Sequence, residues 1–160
     1  MTKPTQRDRL TAWVLVAVQA SLIAAAVMIP RRPAWSENGG VTIVAETAIW
    51  IALSLGVWGA LHLGRGLTPL PLPNGAVELV TRGPFRWIRH PLYTAVILGV
   101  SGIALRSRTP TVIGIAIGLG LFLGLKARWE EQHLRTAFAG YAEYATQTGR
   151  FLPGVGRVRN

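Results

Sequence analysis

Four apolar blocks run through this sequence, and they restrict its possible folds more than any other feature. Leu10–Ile29 is twenty residues without a charge, and Val41–Leu63 carries only Glu46 and His62. Leu92–Leu105 and Pro110–Leu125 carry no charge at all. About 20 apolar residues cross ~30 Å of hydrocarbon. The first two blocks meet that length directly, whereas the other two need their flanks or a locally thin bilayer. Taken alone, the shorter pair would also suit a buried soluble hairpin. A domain of 160 residues has too little polar chain to cover four such helices, so a membrane is the better solvent. Leu10–Ile29 behind Lys3, Arg7 and Arg9 also has the layout of a leader, with Ala24, Ala25 and Ala26 near its end. Its apolar core is longer than a leader's, and it is read as a span. The expected fold is all-α: an integral membrane protein with four transmembrane helices in a single domain, residues 1–160.

The net charge of +10 would point to nucleic acid in a soluble chain, but its placement points elsewhere. With four helices, both termini fall on one side. Lys3, Arg7, Arg9, Arg65, Arg82, Arg86, Arg89, Lys126, Arg128, Arg135, Arg150, Arg157 and Arg159 lie on that side, and Arg31, Arg32, Arg106 and Arg108 on the other. Thirteen against four is the bias of a cytoplasmic face, so both termini are expected in the cytoplasm. Anionic lipid is the partner such a face attracts, and no nucleic-acid partner is expected. The absence of cysteine excludes disulfides, thiolate metal sites and cysteine nucleophiles.

Between the blocks, Pro30–Gly40 reads as a short outer loop and Arg106–Pro110 as a tight turn joining an antiparallel pair. Ala52, Gly56 and Ala60, and likewise Gly114/Gly118 and Gly120/Gly124, have the four-residue spacing that lets transmembrane helices approach closely. Gly99 and Gly102 are read as helix contacts in preference to a ligand surface. Gly64–Pro91 is long and broken by Gly64, Gly66, Pro69, Pro71, Pro73, Asn74 and Gly75, and such a connection more often serves function than linkage. Past the fourth block, Leu134, Phe138, Tyr141 and Ala145 recur at i, i+4, i+7 and i+11. They predict an interfacial amphipathic helix over Ala127–Thr146, weakened by Gly140 and ended by Gly149.

Two charged clusters sit at the inner ends of neighbouring spans. His90 precedes Pro91 at a helix entry, where its imidazole serves as a hydrogen-bond partner, a proton carrier or a cap. Glu130 and Glu131 leave the fourth block. Pairs at i,i+4, Lys126 with Glu130 and Glu131 with Arg135, would make them surface salt bridges. Alternatively they receive a cationic ligand. Adjacent helical residues point about 100° apart, so one would face the site while the other pairs nearby. His62 and His133 are too scattered to join His90 in a zinc site, and no metal is expected. Gly64-Arg65-Gly66 follows a helix, not a strand, and fails as a nucleotide fingerprint.

The run Arg82-Gly83-Pro84-Phe85-Arg86-Trp87-Ile88-Arg89-His90-Pro91-Leu92-Tyr93 precedes a helical hairpin and Glu130-Glu131. Leu134, Phe138, Tyr141, Tyr144 and Arg150-Phe151-Leu152-Pro153 follow. With Leu67-Thr68-Pro69-Leu70-Pro71 ahead of it, this pattern resembles the isoprenylcysteine carboxyl methyltransferase family, to which the phospholipid N-methyltransferases are related. The resemblance runs from about Gly64 to Pro153 and places the cofactor and catalytic motifs in residues 64–156. It implies S-adenosylmethionine bound at the cytosolic side by His90, Pro91, Tyr93, Glu130 and Glu131, with Arg89 or Arg86 pairing its carboxylate and Tyr93 or Trp129 stacking. It further implies a lipid-like acceptor entering from the bilayer. If that acceptor is a carboxylate, a cation such as Arg150 holds it and no base is needed. If it is an amine, His90 or a glutamate must take its proton. Carboxylate methylation is the favoured expectation. Phospholipid amine methylation, a membrane reductase using a nicotinamide cofactor, and a non-catalytic interaction protein are the rivals.

Overall fold

The computed structural model describes residues 5–68, 70 and 78–158. Lys3, Pro69, Pro71, Pro73, Asn74, Gly75 and Arg159 lie outside them. Helix α1 spans Gln6–Met28, α2 Gly39–Leu63, α3 Pro91–Ser107, α4 Pro110–Ala137 and α5 Tyr141–Gln147. No strand occurs among the described residues. Each of the four apolar blocks is a helix, and local chemistry sets the ends. Thr5 opens α1 with a reciprocal cap. Its hydroxyl accepts the Asp8 amide at 3.2 Å, and the Asp8 carboxylate accepts the Thr5 amide at 2.9 Å. The Asn38 side chain caps α2. Pro91 and Pro110 occupy first helical positions, where the missing N–H costs nothing.

The helices run alternately up and down. At one end, the Ala34 amide donates to the Arg108 carbonyl at 2.9 Å and the Arg32 amide to Thr109 Oγ1 at 3.0 Å, so the α1–α2 loop and the α3–α4 turn lie together. All four basic residues assigned to the outer side belong to these two connections or border them. At the opposite end, Asp8 of α1 meets His133 of α4 at 3.5 Å. The first and last described segments and the α2–α3 connection share that end.

The α2–α3 seam is built from small residues, while the core between α3 and α4 buries Val100, Val112, Leu119 and Leu123. Helix α2 buries only Ala45, Ala52 and Gly59, seven residues apart, while Ile43, Trp50, Leu53, Val57 and Leu61 are exposed. A Cβ on Gly102 of α3 would lie 2.8 Å from the Ala45 carbonyl oxygen, and one on Gly99 would lie 3.3 Å from the Ala52 methyl. Lipid tails are as apolar as Leu and give helices no hydrophobic reason to associate, so close backbone approach supplies the contact energy. Gly99 and Gly102 are therefore helix contacts, the reading preferred for them over a ligand surface. On α2 the buried stripe is Ala45/Ala52/Gly59, with Gly56 against Ala95. On α4, a Cβ at Gly114, Gly118, Gly120 or Gly124 meets nothing within 4 Å among the described residues, so the expectation that these glycines pack helices is not met there. α1, α2 and α4 are long and apolar enough to cross a membrane, and α3 is a shorter apolar helix beside them.

The predicted interfacial helix over Ala127–Thr146 does not form as one piece. α4 continues to Ala137, Phe138 turns extended (φ −126°, ψ 112°), and the short α5 begins at Tyr141. Phe138 is the break, and Gly140 stands just before α5 with near-helical backbone (φ −81°, ψ −2°). The stripe expected to lie on the membrane faces inward instead. Tyr141 and Ala145 are buried, and Leu134 and Phe138 line an internal cavity.

Candidate active site

The entry to α3 is stitched to the C-terminal segment through the backbone. Gly149 donates to the Trp87 carbonyl at 3.2 Å, Arg89 to the Gly149 carbonyl at 2.8 Å, and His90 to the Arg150 carbonyl at 3.1 Å. The chain then doubles back. The Arg150 amide donates to the Val155 carbonyl at 2.8 Å, with Gly154 and Gly156 both at φ 76°, a region only glycine enters freely. A Cβ on Gly149 would collide with the Leu152 carbonyl, so glycine is required where the loop crosses itself.

Side chains complete the brace. Arg89 Nε donates to Glu131 Oε1 at 3.0 Å, Nη1 to the Ala145 carbonyl at 3.0 Å and to the Thr148 carbonyl, and Nη2 to the Gly156 carbonyl at 2.9 Å. Arg150 grips both oxygens of the same carboxylate, Nε at 3.0 Å and Nη2 at 2.7 Å. His90 Nε2 approaches Glu131 Oε1 at 3.2 Å. Glu131 is 3% exposed. A buried carboxylate between two guanidiniums is held by charge-assisted bonds, and each partner would be costly to bury alone. Donating to the Glu131 carboxylate also raises the Arg150 guanidinium above its ordinary value.

Glu130 does something different. Its Oε2 accepts the Tyr93 hydroxyl at 2.7 Å and lies 3.7 Å from His90 Nδ1, and it lines the cavity. The rings of His90 and Tyr93 stack in parallel with centroids 5.3 Å apart. Neither glutamate makes the surface pairs considered for it. Lys126 donates to Gln19 Oε1 at 2.6 Å, and Arg135 takes no part in Glu131's contacts.

The cavity measures about 410 Å³. Its polar wall holds Arg89, His90, Tyr93, Glu130, Tyr141 and Tyr144, with Pro91 beside them, and its apolar wall holds Val16, Ala20, Ile23, Leu92 and Val96. Of the residues singled out in the sequence, Arg89, His90, Pro91, Tyr93 and Glu130 line it. Glu131 and Arg150 stand behind it, locked to one another. An Arg150 guanidinium engaged through Nε and Nη2 is poorly placed to hold an acceptor carboxylate, and Arg89 has committed its donors to Glu131 and three carbonyls. Arg86 is exposed. Trp129 packs its ring at a 45° tilt against His133, centroids 4.1 Å apart, and is not among the residues that line the cavity.

The roles of three contributors to the site are not apparent from the sequence. The Tyr141 hydroxyl is buried without a hydrogen-bond partner among the described residues and borders the cavity. Burial pushes its phenol well above the ordinary tyrosine value, the nearby Glu131 charge adds to the shift, and it stays a neutral donor. Tyr144, raised by burial in the same way, uses its hydroxyl on the Phe85 carbonyl at 2.6 Å. Gln19 and Lys126 form the third element. A lone amide in the middle of a charge-free span was the available signal, since such a group needs a partner away from water.

The profile of the family described as phospholipid methyltransferase matches residues 41–140, from early α2 to the break before α5. Among curated proteins, the cobalt-zinc-cadmium resistance protein CzcN of Cupriavidus metallidurans is 35% identical over 82 residues, covering 51% of this chain and 38% of that protein. The nickel-cobalt-cadmium resistance protein NccN of Alcaligenes xylosoxydans xylosoxydans is 28% identical over 159 residues, covering 96% of this chain and 68% of its own. An uncharacterized protein, YpbQ of Bacillus subtilis, is 29% identical over 119 residues, 72% of this chain and 66% of its own. The chain thus spans 38% of the first relative and about two thirds of the other two.

Proposed function

The chain belongs to the phospholipid methyltransferase family, and on that basis we propose that it methylates an amphiphilic acceptor with S-adenosylmethionine at the cavity below α3 and α4. The observation that carries this reading is the composition of one wall. A carboxylate (Glu130), a stacked imidazole–phenol pair (His90 and Tyr93) and an unpartnered buried hydroxyl (Tyr141) adjoin an apolar lining that an acyl chain can occupy. These donors and acceptors suit a cofactor that carries an ammonium, a sulfonium and a hydroxylated sugar. When bound, S-adenosylmethionine supplies an electrophilic methyl carbon on a positively charged sulfur.

The protein's own groups then have distinct tasks. Glu130 holds positive charge, more strongly than it would in water because the site is partly dehydrated. Tyr93 donates to Glu130 and fixes its rotamer, while the His90 ring stacked on Tyr93 fixes the phenol. Tyr141 offers the hydrogen bond that no protein group among the described residues takes. Arg89, Glu131 and Arg150 act as a positioning brace, holding α3, α4, α5 and the C-terminal loop at fixed separation. Catalysis by this arrangement is mainly orientation and exclusion of water. A carboxylate acceptor would need no proton removed before methylation, so this site would need no base. On that ground carboxylate methylation is favoured over amine methylation.

The test is calorimetric titration of the purified protein with S-adenosylmethionine and, separately, with reduced nicotinamide dinucleotide phosphate. Labelled cofactor is then offered to a total lipid extract and to a soluble metabolite pool. Binding of the first ligand and label in the lipid fraction is the expected result. Binding of the dinucleotide alone would establish a reductase, and label confined to the soluble pool would overturn the lipid acceptor.

A further inference from the structure

Lys126 lines the cavity from α4 and is only 3% exposed. Its ammonium donates to Gln19 Oε1 of α1 at 2.6 Å and lies 5.1 Å from the centroid of the Tyr93 ring. An amide oxygen accepts from it and an aromatic face attracts it. A lysine ammonium has three donors, and among the described residues only the one to Gln19 is spent. Among the described residues no carboxylate stands within the 4.0 Å of an ion pair with it, and Glu130, one turn on, is occupied by Tyr93. A buried cation with unspent donors is expensive, which makes it a candidate binding group. The neighbouring wall, Val16, Ala20, Ile23 and Val96, is apolar.

We infer that Lys126, oriented by Gln19, is the specificity-determining residue of the acceptor subsite and selects a long-chain carboxylate, its oxygens on the unspent donors and its chain along Val16, Ala20, Ile23 and Val96. The assignment of this ligand as acceptor rests on the methyl-transfer reading, but the anion site itself does not. Methylation would erase the charge that Lys126 holds, so an ester product binds more weakly than the acid it came from. The grip is therefore released by the reaction. Arg150, engaged by Glu131, is not needed for this task.

The experiment uses the full chain in an uncharged detergent, with a fluorescent polyene fatty acid as probe and hexadecanoate, its methyl ester, hexadecylamine and hexadecyl phosphate as competitors. The acid should displace the probe at least about tenfold better than the ester or the amine, the scale of one charged hydrogen bond. Lys126→Gln should abolish that preference while binding the ester as the parent does, which also shows that the variant folds. Lys126→Arg should retain the preference, and Gln19→Leu should reduce it. Equal displacement by acid and ester in the parent, or a preference that survives Lys126→Gln, would overturn the inference. Stronger displacement by hexadecyl phosphate would overturn the choice of carboxylate. S-adenosylmethionine is titrated into the same samples. Acid preference without cofactor binding would sink the methyl-transfer reading and leave the anion site standing, and the reverse outcome would do the opposite.

Discussion

Glu130 and Glu131 are neighbours with opposite duties, and the angle of about 100° between successive helical side chains is the cause. Glu131 points into the brace and Glu130 into the cavity. Glu131→Gln removes the carboxylate shared by Arg89, Arg150 and His90. Breaking a buried pair of this kind costs about 3–5 kcal/mol, so a large fall in thermal stability in detergent is expected. Glu130→Gln should leave the melting temperature close to the parent's but weaken S-adenosylmethionine binding by about 2–5 kcal/mol in calorimetry, the range for one partner of a desolvated charged contact. If both Gln variants bind as the parent does, Glu130 is not the cofactor's anion. Tyr141→Phe separates ligand binding from folding more cleanly. Its hydroxyl has no partner to lose among the described residues, so stability should hold or rise slightly while cofactor affinity falls. A loss of stability without a change in affinity would make Tyr141 a packing residue.

Among the helices, the α2–α3 seam depends on residues without side-chain bulk, and α4's glycines do not contribute to it. Gly102→Val would drive its side chain into the Ala45 carbonyl oxygen and the Ile49 side chain, each 2.8 Å from where a Cβ would stand. Backbone cannot move aside cheaply, and overpacking costs about 1–3 kcal/mol or more. Gly118→Val meets nothing within 4 Å and should be tolerated. Thermal unfolding of the two variants side by side checks the contrast, and equal destabilisation would show that α4 carries a contact of its own. The seam matters for function because α2 also supports the entry to α3: Gly59 lies under Leu92 and Pro91, beside the residues that line the site.

For the molecule as a whole, the charge asymmetry and the up-down helix order agree on one arrangement, with both described ends and the site at the basic end. Reporter fusions after Pro33, Gly75 and Thr109 are expected outside, inside and outside, and an inside reading at Pro33 would invert or refute that topology. Apolar blocks made the four helices legible, because backbone in lipid has few alternatives to helix. Gly99 and Gly102 were legible as helix contacts, and the Arg-His-Pro run with Glu130-Glu131 foretold where polar chemistry would gather. Other features were not legible. A period of 3.6 says which residues share a face but not what that face meets, so Leu134, Phe138 and Tyr141 read as a membrane surface and proved to be cavity wall. Sequence neighbours also misled. Lys126 is four residues from Glu130 yet pairs with Gln19, 107 positions away, because α1 and α4 lie antiparallel and an amide buried in the same span needs the donor. The order of residues was enough to specify a helical membrane bundle with a charged inner end. Which charges are spent on one another, and which remain to hold a ligand, emerged only in three dimensions, because that depends on distances between helices that no spacing along one chain contains.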